Sequence, residues 1–242
     1  MTDIKKFTAA FNRIAHNKSE ETVFTDYLDM VICALSGGNY EEEYLAIVKR
    51  YKRDEIDMFC ELMAEMLIIM DNGGAGLVDC LGEFYQIHLS RGKHGQFFTP
   101  QVVSDFMAQI TMEKNTTGKT IHDPACGSGR MLLAAAKVSR DNYFTGADID
   151  SRCTKMCVIN MCLNGLQGEV AHMNSLSGEI WLCYAVEYLS VAPVRIPVIT
   201  KLPPNTGIIY NNTRFHKTSA EHQPAQQGNV ITVTQTKIDF EE

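Results

Sequence analysis

A chain of 242 residues with 45% hydrophobic and 21% charged side chains can bury one full core and a smaller second one, and its apolar runs are broken by charge or glycine well short of the roughly 20 residues a membrane span needs. The formal net charge of −7 excludes a protein that coats itself in nucleic acid through many Lys and Arg contacts to phosphate, while leaving room for local contact at two basic islands, Ser90-Arg91-Gly92-Lys93-His94 and Arg214-Phe215-His216-Lys217. The N-terminus carries Asp3, Lys5 and Lys6 without an apolar signal core, which points to the cytoplasm, and the eight cysteines include no Cys-x-x-Cys pair, so they read as reduced structural thiols with no metal site.

Residues 1–90 read as a small helical bundle. Phe7, Phe11 and Ile14, then Val23, Tyr27, Met30, Val31 and Leu35, recur at spacings of three and four. Glycine clusters at Ser36-Gly37-Gly38-Asn39 and Asp71-Asn72-Gly73-Gly74 break the run, with further helices over 54–70 and 77–89. From about residue 91 to 242 strands alternate with helices, as in a parallel sheet whose ligands bind at the carboxyl ends of the strands. Thr99 at the N-cap and Pro100 at the first helical position start a helix with Val102, Val103, Phe106, Met107 and Ile110 on one apolar face. Strands are predicted over 120–122, 143–147, 170–173 and 198–200, with helices over 130–138 and 152–163. Residues 211–228 are polar and proline-punctuated and read as a loop, and 230–237 as a last alternating strand.

The chemistry concentrates between the first of these strands and the following helix, in Asp123-Pro124-Ala125-Cys126-Gly127-Ser128-Gly129-Arg130. Glycines there let the backbone approach a ligand, and a helix N-terminus offers unpaired amides to a carboxylate or phosphate. Asp148 ends the next strand 19 residues after Gly129, the spacing at which nucleotide-binding sheets place a carboxylate against ribose hydroxyls, with Ile149 beside it to pack on an adenine face. Two cofactor classes share this layout. Leu132 stands where a dinucleotide fingerprint needs its third glycine, and Asp123 would repel a pyrophosphate but could orient the cationic aminopropyl end of S-adenosylmethionine.

Asp123-Pro124-Ala125-Cys126-Gly127-Ser128-Gly129, preceded by Gly95-Gln96-Phe97-Phe98-Thr99-Pro100 and by Leu81-Gly82-Glu83-Phe84-Tyr85, resembles the adenine-specific (N6) DNA methyltransferases, especially the modification subunit of type I restriction systems, over about residues 77–176. The resemblance implies an α/β fold in which a Rossmann-like S-adenosylmethionine-binding sheet follows the N-terminal bundle. It also implies a double-stranded DNA substrate with an adenine target, and specificity and restriction subunits as partners. Thr99 would contact the methionine carboxylate; Asp123, Ala125 and Cys126 would surround the methionine portion; Asp148 would bind ribose, and Ile149 would flank adenine. Asn174 stands where the family usually has an aspartate for the adenine amine, and its amide oxygen can accept the same bond. Phe98, Pro100, Gly127, Gly129 and Ser175 complete the implied cofactor contacts. The family grips its target base with Asn-Pro-Pro-aromatic after a fourth strand. Here the nearest match is Leu202-Pro203-Pro204-Asn205, in which leucine, unable to accept a hydrogen bond, replaces the asparagine, a loss on the order of a hundredfold to a thousandfold in rate. An impaired methyltransferase that keeps the pocket as a DNA- or protein-binding module is therefore the alternative.

Overall fold

The computed structural model describes residues 3–90, 98–191, 193–219 and 230–232. Five helices open the chain: α1 (Lys5–Ala15), α2 (Glu20–Ala34), α3 (Glu41–Val48), α4 (Arg53–Asp71) and α5 (Cys80–Phe84), the last running on into a π-helical turn, Tyr85–Ser90. Ser19 caps α2 by accepting from the Thr22 N–H, with Glu20 and Glu21 in the first turn, where the helix dipole favours negative charge. Asn72 ends α4 in the left-handed conformation, at φ 48°. Phe7, Phe11, Phe24 and Phe84 form an aromatic cluster at the centre of the bundle, Phe84 meeting Phe7 and Phe11 edge-on and Phe24 at a tilt, with Phe11 and Phe84 centroids 4.7 Å apart.

The second half is a six-stranded mixed sheet of order β5-β4-β3-β2-β1-β6. Strands β1 (Thr120–Asp123), β2 (Tyr143–Asp148) and β3 (Gly168–Asn174) are parallel, joined by α7 (Arg130–Val138) and α8 (Ser151–Leu163), and β6 (Val230–Thr232) lies parallel beside β1. This is the Rossmann-like α/β arrangement the sequence implied. The sheet is not wholly parallel, however. After β3 the chain reverses at once: Asn174 accepts from the N–H groups of Leu176 and Ser177, and Gly178 takes φ 69°. It then forms β4 (Glu179–Val191) and β5 (Val194–Lys201) as an antiparallel meander. β4 is not among the predicted strands: only two residues separate it from β5, too few for the crossover helix that joins parallel strands.

Two more expectations change. Helix α6 (Gln101–Thr111) starts one residue later than predicted, with Pro100 as its N-cap at φ −56° and ψ 144°, outside the helical region, and the Thr99 carbonyl before it accepts from Arg130. Of its predicted apolar face only Met107 packs against the core. Ser104 and Ala108 are the buried ones, α6 lies on α7 through that small-residue side, and Val102, Phe106 and Ile110 are exposed. The predicted loop over 211–228 begins instead as helix α9 (Ile208–Ser219), because Glu169 of β3 reaches across to accept from the Ile208 and Ile209 N–H groups at 2.9 and 3.0 Å. Residues 220–228 and 233–237, like 91–97 with the Gly95-Gln96-Phe97 part of the motif, lie outside the described residues.

One core runs from Phe7 and Phe24 through Ile121 and Phe144 to Ile199. The bundle is stitched to the outer strand by two of that strand's amides, the Ile199 N–H donating to the Leu35 carbonyl and the Lys201 N–H to the Tyr40 side-chain hydroxyl. On the other sheet face Ile209 of α9 packs with Ala147, Ala171, Met173 and Cys183. No described helix is long and apolar enough to cross a membrane.

Candidate functional site

The carboxyl ends of β1, β2 and β3 meet at the loop from Asp123 to Gly129. The loop needs its glycines for two reasons. Gly127 and Gly129 hold φ values of 52° and 87°, and a Cβ on Gly129 would come within 2.8 Å of the Cys157 Sγ. Phe98, buried against Tyr85 at 5.8 Å, supports the loop from outside: a Cβ on Gly127 would meet its ring at 3.1 Å.

Asp123 is wholly buried. Its Oδ1 accepts from the Ala125 N–H at 3.0 Å, while its Oδ2 has no hydrogen-bond partner among the described residues. Burial raises its pKa to about 7, against the pull of the Ala125 N–H and with a further push from the Asp148 charge. Asp148 bridges two backbones, its Oδ2 accepting from Gly127 at 2.9 Å and its Oδ1 from Asp150 at 2.9 Å, and burial raises its pKa as well. Each of its oxygens retains capacity for a further donor. Ile149 is 63% exposed. Ser175 donates from its hydroxyl to the Pro124 carbonyl at 2.6 Å, so β3 and the loop are joined above the sheet.

Asp123, Ala125, Gly127, Asp148, Ile149, Asn174 and Ser175 thus share one edge, with Phe98 and Thr99 beside Gly127 and Arg130. The edge combines a buried carboxylate with a vacant lone pair, a second carboxylate, an exposed apolar side chain and a glycine-lined floor. A ligand with a cationic end, a hydroxylated middle and a flat apolar end matches that sequence of groups. Two residues play other parts than expected. Cys126 points away from the edge, packed where a Cβ on Gly146 would touch its Sγ at 3.0 Å, and the hydrogen-bonded Cys157 thiol, then burial, hold its pKa well above the usual thiol range. It offers the edge only backbone. The Asn174 oxygen is already engaged by the two N–H groups of its turn.

A buried hub behind the loop is absent from the sequence reading. Asp79, at the N-cap of α5, accepts through Oδ1 from the Gly82 N–H and the Asn160 amide, both at 2.8 Å. Through Oδ2 it accepts from the Ser128 hydroxyl at 2.5 Å and the Arg130 Nε at 3.0 Å. Asn160 also donates to the Ser128 carbonyl at 2.8 Å, and Arg130 to the Thr99 carbonyl at 3.0 Å. Arg130 and Asp79 are 6% and 2% exposed in their side chains. The only local signal was an aspartate before Leu81-Gly82-Glu83, which reads as an ordinary helix cap.

Leu202-Pro203-Pro204-Asn205 follows β5. In the pairing register Asp123, Gly146, Val170, Tyr184 and Lys201 lie level across the five strands. At strand spacings of about 4.8 Å, Leu202 is therefore roughly 19 Å from the end of β1. The structure does not bring this segment to the Asp123 edge. The strands beside β1 are β2 and β6, and the whole chain contains no Asn-Pro-Pro.

The chain is similar in sequence to known proteins over this region. The model of a family described as N-6 DNA Methylase matches residues 78–231. The methylase subunit of the type I restriction enzyme MpnII from Mycoplasma pneumoniae is 27% identical over 201 residues, covering 72% of this chain and 36% of that protein. The EcoEI methylase subunit from Escherichia coli is 31% identical over 133 residues, covering 49% and 25%. A solved type I restriction-modification methyltransferase subunit from Streptococcus thermophilus aligns at 23% identity with a TM-score of 0.37, over 66% of this chain and 36% of that one. The chain spans about a third or less of the length of these curated relatives.

Proposed function

Because the chain belongs to the N-6 DNA methylase family, we propose that its Asp123 edge binds S-adenosylmethionine as the cofactor-holding part of an adenine-N6 DNA methyltransferase of the type I modification-subunit kind. The observation that carries this is the Asp123 carboxylate: fully buried, with one oxygen unpartnered. A buried acceptor left unpaired costs free energy, and the ammonium of the cofactor's aminopropyl group supplies both the missing donor and a compensating charge. Asp148 accepts the ribose hydroxyls, Ile149 lies on the adenine ring, and Phe98 and Thr99 close the methionine end. When bound, the cofactor supplies an electrophilic methyl group on a sulfonium.

The protein's own part is to orient and dehydrate. The Asp79 hub holds Ser128 and Arg130 in place before any ligand arrives, so the loop does not have to be ordered on binding. The partners that follow from this reading are double-stranded DNA and separate specificity and restriction subunits. A second reading is favoured by one observation, the roughly 19 Å between Leu202 and β1: this chain alone binds cofactor but transfers no methyl group, and the base-gripping segment comes from elsewhere.

Calorimetry with S-adenosylmethionine tests the cofactor reading. Binding is expected in the unmodified chain and lost in Asp148→Ala; equal affinity in the two would remove the ribose assignment. A methyl-transfer assay on adenine-containing duplex then decides between the readings. Turnover by the isolated chain would rule out the second.

A further inference from the structure

The carboxyl edge of the sheet holds another concavity, on the far side of β3 from the Asp123 loop. It lies between the start of β4, the turn after β5 and helix α9, and has a volume of about 630 Å³, within the range of small-molecule pockets. Ile180, Trp181, Leu202, Pro203, Asn205 and Tyr210 are among its walls, and no charged side chain among the described residues lines it. Trp181 is 46% exposed. Its ring lies 4.7 Å from that of His172, tilted by 53°, and the His172 Nε2 is 3.2 Å from the Ile149 carbonyl. The tilted His172–Trp181 pair therefore lies between this cavity and the edge where Ile149 stands exposed.

Neutral walls disfavour a phosphate, carboxylate or ammonium, because each would be stripped of water without a counter-charge. Indole, phenol and proline surfaces suit a flat π face. The Asn205 amide can donate and accept along the edge of a heterocycle. That residue is held at φ 64° in a turn closed by the Thr206 hydroxyl on the Pro203 carbonyl at 2.7 Å.

We propose that this cavity binds a neutral, unstacked nucleobase in a compartment separate from the cofactor edge, an inference that rests on the methyltransferase reading above. The base is not the one that receives the methyl group. Trp181 belongs to β4, three strand spacings or about 14 Å from β1, so a base held there lies beyond the adenine end of the cofactor. The same chemistry has two sources, a base extruded from a DNA strand or a free nucleoside.

Trp181 is the chain's single tryptophan, so fluorescence excited beyond tyrosine absorption reports on the wall of the cavity. Four probes are titrated: adenosine, a single-stranded oligodeoxynucleotide, its fully paired duplex, and the same duplex carrying one extrahelical base. Saturable quenching by the single strand and the extrahelical-base duplex, and not by the paired duplex, identifies DNA as the source; saturable quenching by adenosine alone identifies a free nucleoside. Asn205→Gly, which takes up φ 64° without strain, is expected to weaken probe binding about tenfold, a loss of the size that one hydrogen-bonded edge contributes. Asp148→Ala is expected to keep the quenching while calorimetry shows cofactor binding gone, so failure of the cofactor reading is seen separately. The proposal is overturned if no probe quenches, if the paired duplex quenches equally, if Asn205→Gly binds unchanged, or if S-adenosylhomocysteine displaces the probe competitively.

Discussion

The two ends of the sheet's carboxyl edge are built differently. At β1 and β2 the loop is locked from behind by buried polar contacts: Asp79 to Ser128, Arg130 and Asn160, and Asp148 to Gly127. At β4 and β5 the turn from Leu202 to Thr206 is held by its own Thr206–Pro203 bond, by the Leu202 N–H donating to the Cys183 carbonyl at 2.9 Å, and by apolar packing under α9. The first arrangement fixes atoms to within hydrogen-bond geometry, as recognition of a charged cofactor requires. The second leaves a roomy, neutral hollow. What resembled one motif and its catalytic partner in sequence is therefore a carboxylate-lined edge and a neutral-walled hollow, about four strand spacings apart.

Substitutions can break that contrast. The largest effect is expected from Asp79→Ala, which leaves the buried Arg130 guanidinium without its main partner: a loss of about 3–5 kcal/mol in stability together with cofactor binding, measured by denaturant unfolding and calorimetry. Wild-type cofactor affinity in a folded Asp79→Ala would refute the role of the hub. Gly129→Ala combines φ 87° with a 2.8 Å approach to Cys157 and is expected to cost about 1–3 kcal/mol, again with weaker cofactor binding. Next comes a pH effect. Asp123 must be ionised to pair with the cofactor's ammonium, and its pKa is about 7. Affinity should therefore fall about tenfold per pH unit below that value, and Asp123→Asn should flatten the profile. The stability contribution has the opposite sense: since the folded pKa is raised, it is fully present below about pH 4 and lost as pH rises through about 7. The smallest effect belongs to the other end. Glu169→Gln weakens the cap of α9 and the bond from the Tyr143 hydroxyl, costing about 1 kcal/mol in thermal unfolding while leaving cofactor affinity unchanged. A parallel drop in affinity would show that the two ends are coupled.

Sequence reading reached what is local. The loop glycines, the Asp148 spacing and the helices α7 and α8 follow from residues close together in the chain, and so does the bundle. It failed where the deciding partner is distant. Helix α9 is started by a carboxylate on β3, and the apolar side of α6 is turned outward because Ser104 and Ala108 fit against α7. The displacement of Leu202 follows from an antiparallel strand that no crossover helix announces. Cys126 sits inside the loop motif, yet packing against Cys157 turns its side chain away from the edge.

The separation of the hub's members along the chain carries one more consequence. Asp79 meets Ser128 across 49 residues and Asn160 across 81. During synthesis the segment from Asp123 to Gly129 leaves the ribosome well before α8 does, and it stays untethered on one side until Asn160 has emerged and docked. A chain ending between residues 130 and 160 therefore carries the whole glycine motif without the Asn160 amide that ties Asp79 to the Ser128 carbonyl, and we predict that it binds cofactor more weakly than the full chain.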